Sequence, residues 1–270
     1  MTFAEQFLKS RFSATSSKKA LGLLKGFGGQ RLPKLTSDQI RVAKSNTTVF
    51  AFCFDGGAII TGDRRMVEGL DLWSDMVVKI MKLSKFSALA FAGSCHTIQH
   101  IEEDIEGICE SFNRRYGKEL SPEGQANLLR SLLEPWWYLF VFFDYCGLSV
   151  PILAAFDEFQ NKPRLFRFDE TGFYIEQTDP PLVGTGCGFD AVRGLLIEKL
   201  QRRETINYET ALDLSVRAMT ISGITSIGVS DTRVTLPTIA VADAEGFKWI
   251  KPEDITLCRD RISTERRETK

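Results

Sequence analysis

Residues 47–65, TTVFAFCFDGGAIITGDRR, restrict the fold more than any other stretch of this chain. Two runs rich in β-branched and aromatic residues, 48–54 and 58–61, flank Asp55-Gly56-Gly57. Such a pattern specifies a β-hairpin closed by a tight glycine turn. The second run ends in Asp63-Arg64-Arg65, a charge cluster that an ordinary buried strand does not carry. A Thr-Thr pair at the head of a strand is unremarkable by itself, so the weight rests on what lies downstream.

Downstream stands Lys79, between Val77-Val78 and Ile80-Met81. A lysine among apolar neighbours is costly to bury unless a carboxylate pairs with it. If the hairpin folds back, Asp63 is the candidate partner. Thr47, Asp63 and Lys79 then bring together a hydroxyl, an acid and an amine, the parts of an activated nucleophile. Asp63 follows Thr47 by sixteen residues and Lys79 follows Asp63 by another sixteen. With Gly62-Asp63-Arg64-Arg65, Ala92-Gly93 and Val183-Gly184-Thr185-Gly186, this spacing resembles a proteasome β subunit of the bacterial kind, over residues 47 to about 245.

Composition sets the outer bounds. The 270 residues are 43% hydrophobic and 26% charged, ample for a sizeable core. The net charge of −1 argues against a dedicated nucleic-acid binder, but it averages two unlike parts. Residues 1–46 hold nine Lys/Arg and two Asp/Glu, a charge of +7; the other 25 basic and 33 acidic residues sum to −8. Six scattered cysteines with no CxxC suit small-hydrophobe roles in a reducing compartment, and the expected location is cytoplasmic. The apolar run 136–143 is too short to span a membrane and reads as buried core or a subunit contact.

Taken in order, residues 1–46 are basic and serine-rich, with glycines and Pro33 that break any helix. A transit peptide and a solvated basic tail both have this composition. Strands are expected over 76–83 and 88–91, then a helix over 96–115 capped by Ser94, and a second helix after Ser121-Pro122. Further strands fall at 150–156, 163–168 and 171–175, with helices after Cys187 and over 207–220. A hairpin around Glu245-Gly246 closes the series, and 258–270 reads as a solvated charged tail. The alternation suits two antiparallel sheets covered by helices. The resemblance implies the same α+β class as a four-layer αββα sandwich, occupying 47–257.

The resemblance also implies chemistry. Thr47 becomes the nucleophile once a propeptide, residues 1–46, is removed by cutting between Asn46 and Thr47. Asp63 and Lys79 support it, the amide of Gly93 forms an oxyanion hole, Thr185 supplies a hydroxyl near the α-amine, and Ser226 stands at a further hydroxyl position of the family. Two matches depart from the pattern: Gly223 stands where the family has an acid, with Asp231 the nearest substitute, and Asn46 replaces the usual glycine. The first specificity pocket maps to Met66, Val77, Met81, Phe91 and Cys95, with Phe91 narrowing it, so small or medium apolar side chains are expected to be preferred. Implied partners are polypeptide substrates, copies of the chain in stacked, heptameric rings, a gating α-type ring and an ATP-dependent unfoldase, with no nucleic acid, membrane or cofactor. The rival readings are a catalytically silent ring subunit and a small-amide hydrolase of the same nucleophile chemistry. His96 and His100 lie one helical turn apart near Cys95 and Glu103, a legal metal-ligand spacing. No third ligand is fixed and HExxH is absent, so no metal is assigned.

Overall fold

The computed structural model describes residues 47–68, 71–143, 147–201 and 206–268. The extension 1–46, including Asn46, and the side chains of Phe142 and Phe143 lie outside the described residues. The expected hairpin forms from β1 (Val49–Phe54) and β2 (Gly57–Gly62), paired in register from Val49 opposite Gly62 to Phe54 opposite Gly57. Gly56 in the turn takes φ +93°, the left-handed region its missing side chain permits. Beyond it come a short ribbon, β3 (Met66–Glu68) and β4 (Asp71–Ser74), and then β5 (Ile80–Ser84) and β6 (Ser87–Gly93). Helices α1 (Cys95–Tyr116) and α2 (Pro122–Phe143) follow, then β7 (Ser149–Asp157), β8 (Lys162–Phe168), β9 (Tyr174–Glu176) and β10 (Leu182–Thr185). The chain continues through α3 (Cys187–Gln201), α4 (Tyr208–Thr225), β11 (Thr238–Asp243), β12 (Gly246–Trp249) and α5 (Pro252–Glu268).

The larger strands form two five-stranded antiparallel sheets, ordered β10-β1-β2-β11-β12 and β5-β6-β7-β8-β9. Side chains alternate across a strand, so each sheet offers two faces. In β1, Phe50 and Phe52 turn toward α3, α4 and α5, where they meet Phe189, Val192, Met219, Ile255 and Ile262. Val49 and Ala51 turn the other way, into the space between the sheets. In β6, Leu89 and Phe91 pack on Ile101, Ile105, Leu129 and Leu133 of α1 and α2, while Ala88, Ala90 and Ala92 face the other sheet. The result is helix, sheet, sheet, helix, the expected αββα sandwich. Its inter-sheet layer is unusually small in side chain: seven of thirteen buried residues there are alanine.

Three expectations need correction. Residues 258–268 are no solvated tail but the greater part of α5, in which Ile255, Cys258 and Ile262 are buried against the first sheet's helix layer. The apolar spacing i, i+3, i+7 is helical, but the surrounding charges hide it. Residues 76–79 are not strand, because β5 begins only at Ile80. Ser94 occupies the N-cap position of α1 with extended backbone, but its side chain makes no capping bond. Within the aromatic run, Leu139 and Phe140 are buried in the chain itself, so part of that run is core. No helix among the described residues is long and apolar enough to cross a membrane.

Candidate active site

Thr47 leads directly into β1, at one end of the first sheet, and Asp63 follows the end of β2 beside it. The hairpin register that pairs Val49 with Gly62 brings these positions together: Asp63 N–H donates to Thr48 O at 3.0 Å. Lys79 comes from the other sheet, on the segment leading into β5. Its Nζ donates to Thr47 Oγ1 at 2.9 Å, to Asp63 Oδ1 at 2.7 Å and to the Arg65 carbonyl at 2.5 Å. The three groups singled out from sequence therefore do meet.

An ammonium has three N–H donors and no acceptor. Nζ lies within hydrogen-bond distance of three oxygens, and two of them, those of the Asp63 carboxylate and the Arg65 carbonyl, can only accept, an arrangement that suits a charged donor. Its side chain is 9% exposed and burial lowers its pKa, with the Asp63 carboxylate opposing that shift. Because Thr47 Oγ1 accepts from Lys79, its own proton remains available to a base. Asp63 is fully buried, and it is saturated: Oδ1 accepts from Thr48 N–H at 2.8 Å as well as from Lys79, and Oδ2 accepts from Arg65 N–H at 2.9 Å and Ser230 N–H at 3.4 Å.

The remaining assigned residues divide. Thr185 ends β10 opposite Val49, close to the start of β1, and the next residue, Gly186, presses on the nucleophile. A Cβ on Gly186 would lie 2.2 Å from Thr47 O, and its φ is +90°. Gly93 ends β6 at φ +133° against the Leu148 carbonyl, 2.2 Å from where a Cβ would sit, so only glycine fits. Ser226 caps the C-terminus of α4, its N–H donating to Ser222 O. A second serine, Ser230, reaches the central acid through its backbone N–H, and its Oγ accepts from Arg64 N–H at 3.0 Å.

Gly223 has a physical reason. A side chain there would start 2.6 Å from the Ser230 carbonyl, so an acid does not fit without moving the segment that supports Asp63. Asp231 does not replace it, because its carboxylate accepts from the backbone and guanidinium of Arg233. Sequence reading missed Ser230 and the buried bond between Thr48 Oγ1 and Ser222 Oγ, 2.7 Å long. These contacts span 167 and 174 residues, and no motif announces them.

The five pocket positions do not form one wall. Cys95 Sγ lies 3.8 Å from Met66 Sδ, and Val77 N–H donates to the Arg64 carbonyl. Phe91 is 1% exposed in the helix-facing core, and Met81 packs against the same cluster. The expectation that Phe91 narrows an open pocket is thus corrected, because its β6 position points it at α1 and α2. His96 and His100 pack edge-on at 4.7 Å between ring centres and against Trp136, and no group of three His, Cys, Asp or Glu among the described residues could hold a metal. Burial pushes the Cys53 thiol up to about 12, the state of an inert core cysteine.

Comparison with known proteins agrees with this geometry. A proteasome subunit from Acidimicrobium ferrooxidans, of the beta type, is 30% identical over 227 residues, covering 82% of this chain and 80% of the relative. Beta subunits from Jonesia denitrificans and Streptomyces griseus are 29% and 28% identical, covering 83% and 78% of this chain and 73% and 74% of their own lengths. The family model described as "Proteasome subunit" matches residues 43–235, from just before the nucleophile candidate to the loop that holds Ser230. A match of that extent, spanning the residues that converge here, places the chain in the proteasome subunit family.

Proposed function

We propose that this chain is a threonine endopeptidase, the protease subunit of a bacterial-type proteasome, with Thr47 as its nucleophile. The observation that carries this reading is the single ammonium of Lys79, 2.9 Å from Thr47 Oγ1 and 2.7 Å from the buried Asp63. With a free N-terminus, the α-amine of Thr47, of ordinary pKa about 7.7–8.0, serves as general base for its own hydroxyl. The oxygen attacks the scissile carbonyl, the peptide C–N bond breaks, and an ester to Thr47 forms with release of the amine product. Lys79 favours the developing alkoxide, and the Gly93 amide donates to the carbonyl oxygen as its charge develops. Water then hydrolyses the ester.

Activation follows from the same groups. While residue 46 is attached, the nitrogen of Thr47 is an amide and no base. Its hydroxyl attacks the Asn46 carbonyl with the help of Lys79, and hydrolysis of that ester releases the free amine and residues 1–46. Thr185 lies near the new α-amine. Met66, Val77 and Cys95 border the substrate's first specificity pocket, which takes small or medium apolar side chains. Copies of the chain form a stacked, heptameric ring assembly, capped by an α-type ring and fed by an ATP-dependent unfoldase.

Intact-mass measurement and a fluorogenic peptide panel on the purified protein test this together. Wild-type chain is expected to lose residues 1–46 and to cleave fastest after apolar residues, while Thr47→Ala stays uncut and inert. Peptidase activity in a chain that retains residues 1–46 overturns the mechanism. The Gly223 position favours one second reading, a silent ring subunit, and a chain that stays uncut and hydrolyses nothing would establish it.

A further inference from the structure

Lys79 sits on 76–79, a segment outside any strand. Met76 and Val78 on that segment are 66% and 52% exposed, so apolar packing does not hold it. Yet its Nζ is placed on three oxygens within 0.4 Å of one another in length, the longest 2.9 Å and the shortest 2.5 Å. The far end of the segment is tied to β6, where the Lys79 carbonyl accepts from Phe91 N–H at 3.2 Å; the contacts at its near end show what holds the rest. Asp75, just before it, receives a two-pronged bond from Arg65: Nε to Oδ1 at 2.8 Å and Nη2 to Oδ2 at 3.1 Å. The third arm of the same guanidinium, Nη1, donates to the Ile227 carbonyl at 3.0 Å in the turn after α4. The backbone of Arg65 faces the catalytic pair: its N–H donates to Asp63 Oδ2 and its carbonyl accepts from Lys79.

We propose that Asp75, acting through Arg65, is the positioning residue that sets Lys79 in the site. The fork locks the guanidinium, which fixes the Arg65 backbone, and that backbone orients both Asp63 and the ammonium. A bidentate arginine–carboxylate pair restricts direction as well as distance, which a lysine in place of Arg65 would not do. Both side chains are 23% exposed, enough shielding for the pair to hold and enough access for its loss to leave the core intact. Neighbouring Arg64 reinforces the clasp, donating from Nη2 to Met76 O at 3.1 Å while its carbonyl accepts from Val77 N–H. Neither Asp75 nor the Arg65 side chain touches Thr47, so their effect is on placement, not on chemistry. The catalytic part of this inference rests on the peptidase reading; the placement of Lys79 does not.

The test compares Asp75→Asn, Asp75→Glu and Arg65→Lys with wild type in two assays. The first labels amines with an activated ester and quantifies Lys79 by peptide mass spectrometry, needing no activity. Released from its three acceptors, Lys79 in Asp75→Asn is expected to react at least about fivefold faster, as local opening governs access to a protected group. The second measures peptide hydrolysis: kcat falls by on the order of ten- to a hundredfold while KM stays within about twofold, the signature of a misplaced catalytic group. Asp75→Glu, which keeps the carboxylate, restores both readouts most of the way; Arg65→Lys, which keeps only the charge, does not. An Asp75→Asn protein whose Lys79 labels at the wild-type rate overturns the proposal, as does one whose kcat is unchanged in an active enzyme. Should wild type hydrolyse no peptide, the peptidase reading fails and the labelling comparison still decides the clasp.

Discussion

Asp63→Asn should cost this protein more stability than Lys79→Met, although both remove half of one ion pair. Asp63 is wholly buried and each carboxylate oxygen takes two donors: Thr48 N–H and Lys79 on Oδ1, Arg65 and Ser230 N–H on Oδ2. An asparagine keeps one acceptor oxygen. If that oxygen stays on Lys79, its NH2 faces the Arg65 and Ser230 amides, donor against donor. Breaking a buried ion pair from one side costs about 3–5 kcal/mol, and each buried donor left unpaired adds about 1–3. Against a total stability of about 5–15 kcal/mol, the variant is expected to be only marginally folded at 25 °C. Lys79→Met also breaks the pair from one side, but it leaves Asp63 its three backbone donors and orphans no buried N–H, so its cost should stay at about 3–5 kcal/mol without the added donor penalties. Urea denaturation followed by tryptophan fluorescence measures the difference, and peptide hydrolysis should be lost in both. An Asp63→Asn protein within about 1 kcal/mol of wild type would refute the account of Asp63 as the saturated hub.

Three further outcomes follow from single positions. Gly186→Ala should abolish hydrolysis while leaving a folded protein by circular dichroism, because its Cβ would lie 2.2 Å from the Thr47 carbonyl at φ +90° and must push the nucleophile aside. The rate of peptide hydrolysis should fall on the alkaline side at a pH below the ordinary lysine value of 10.5, since burial lowers the Lys79 pKa and loss of its proton removes the charge that supports the alkoxide; a rate that holds steady up to pH 10.5 would contradict it. Glu102 on α1 has its pKa raised to about 7 by burial and then by Glu106 and Glu103, so the folded state binds its proton more tightly than the unfolded state and stability drains as pH rises from 4.5 to about 7. Glu102→Gln should therefore raise stability at pH 8 by about 1 kcal/mol, discounted for partial solvent screening, and change little at pH 4; equal effects at both would refute it.

The core of the site was legible because its three groups lie on a local unit. A hairpin and the following segment bring Thr47, Asp63 and Lys79 together within 33 residues, and hairpin pairing is written in alternation and glycine. Ser230 and Ser222 were illegible for the opposite reason: they arrive through α4 and its following turn, and a serine in a loop carries no pattern. Resemblance pointed to Ser226 as a site hydroxyl and gave no sign of Ser230, whose backbone N–H is brought to Asp63 by the segment that follows α4. The clasp by Asp75 was equally silent, since an aspartate beside a ribbon looks like any solvated charge. In the fold, the sheets and four helices were readable from periodicity, whereas α5 was masked by the charges that surround its few buried positions.

The alanine layer between the sheets has a mechanical consequence. Thr47 and Asp63 flank strands of one sheet, while Gly93 ends β6 of the other and Lys79 is tied to β6 through the Phe91 N–H, so the reactive distances also depend on the distance between two slabs. Alanine has no side-chain torsion to readjust, and Ala51, Ala58, Ala90 and Ala240 give that gap no springs. A larger residue there cannot be absorbed by rotamer change, and it must act as a wedge that drives the slabs apart. The lining of the sandwich therefore works as a shim, setting a tolerance for chemistry that takes place at its rim.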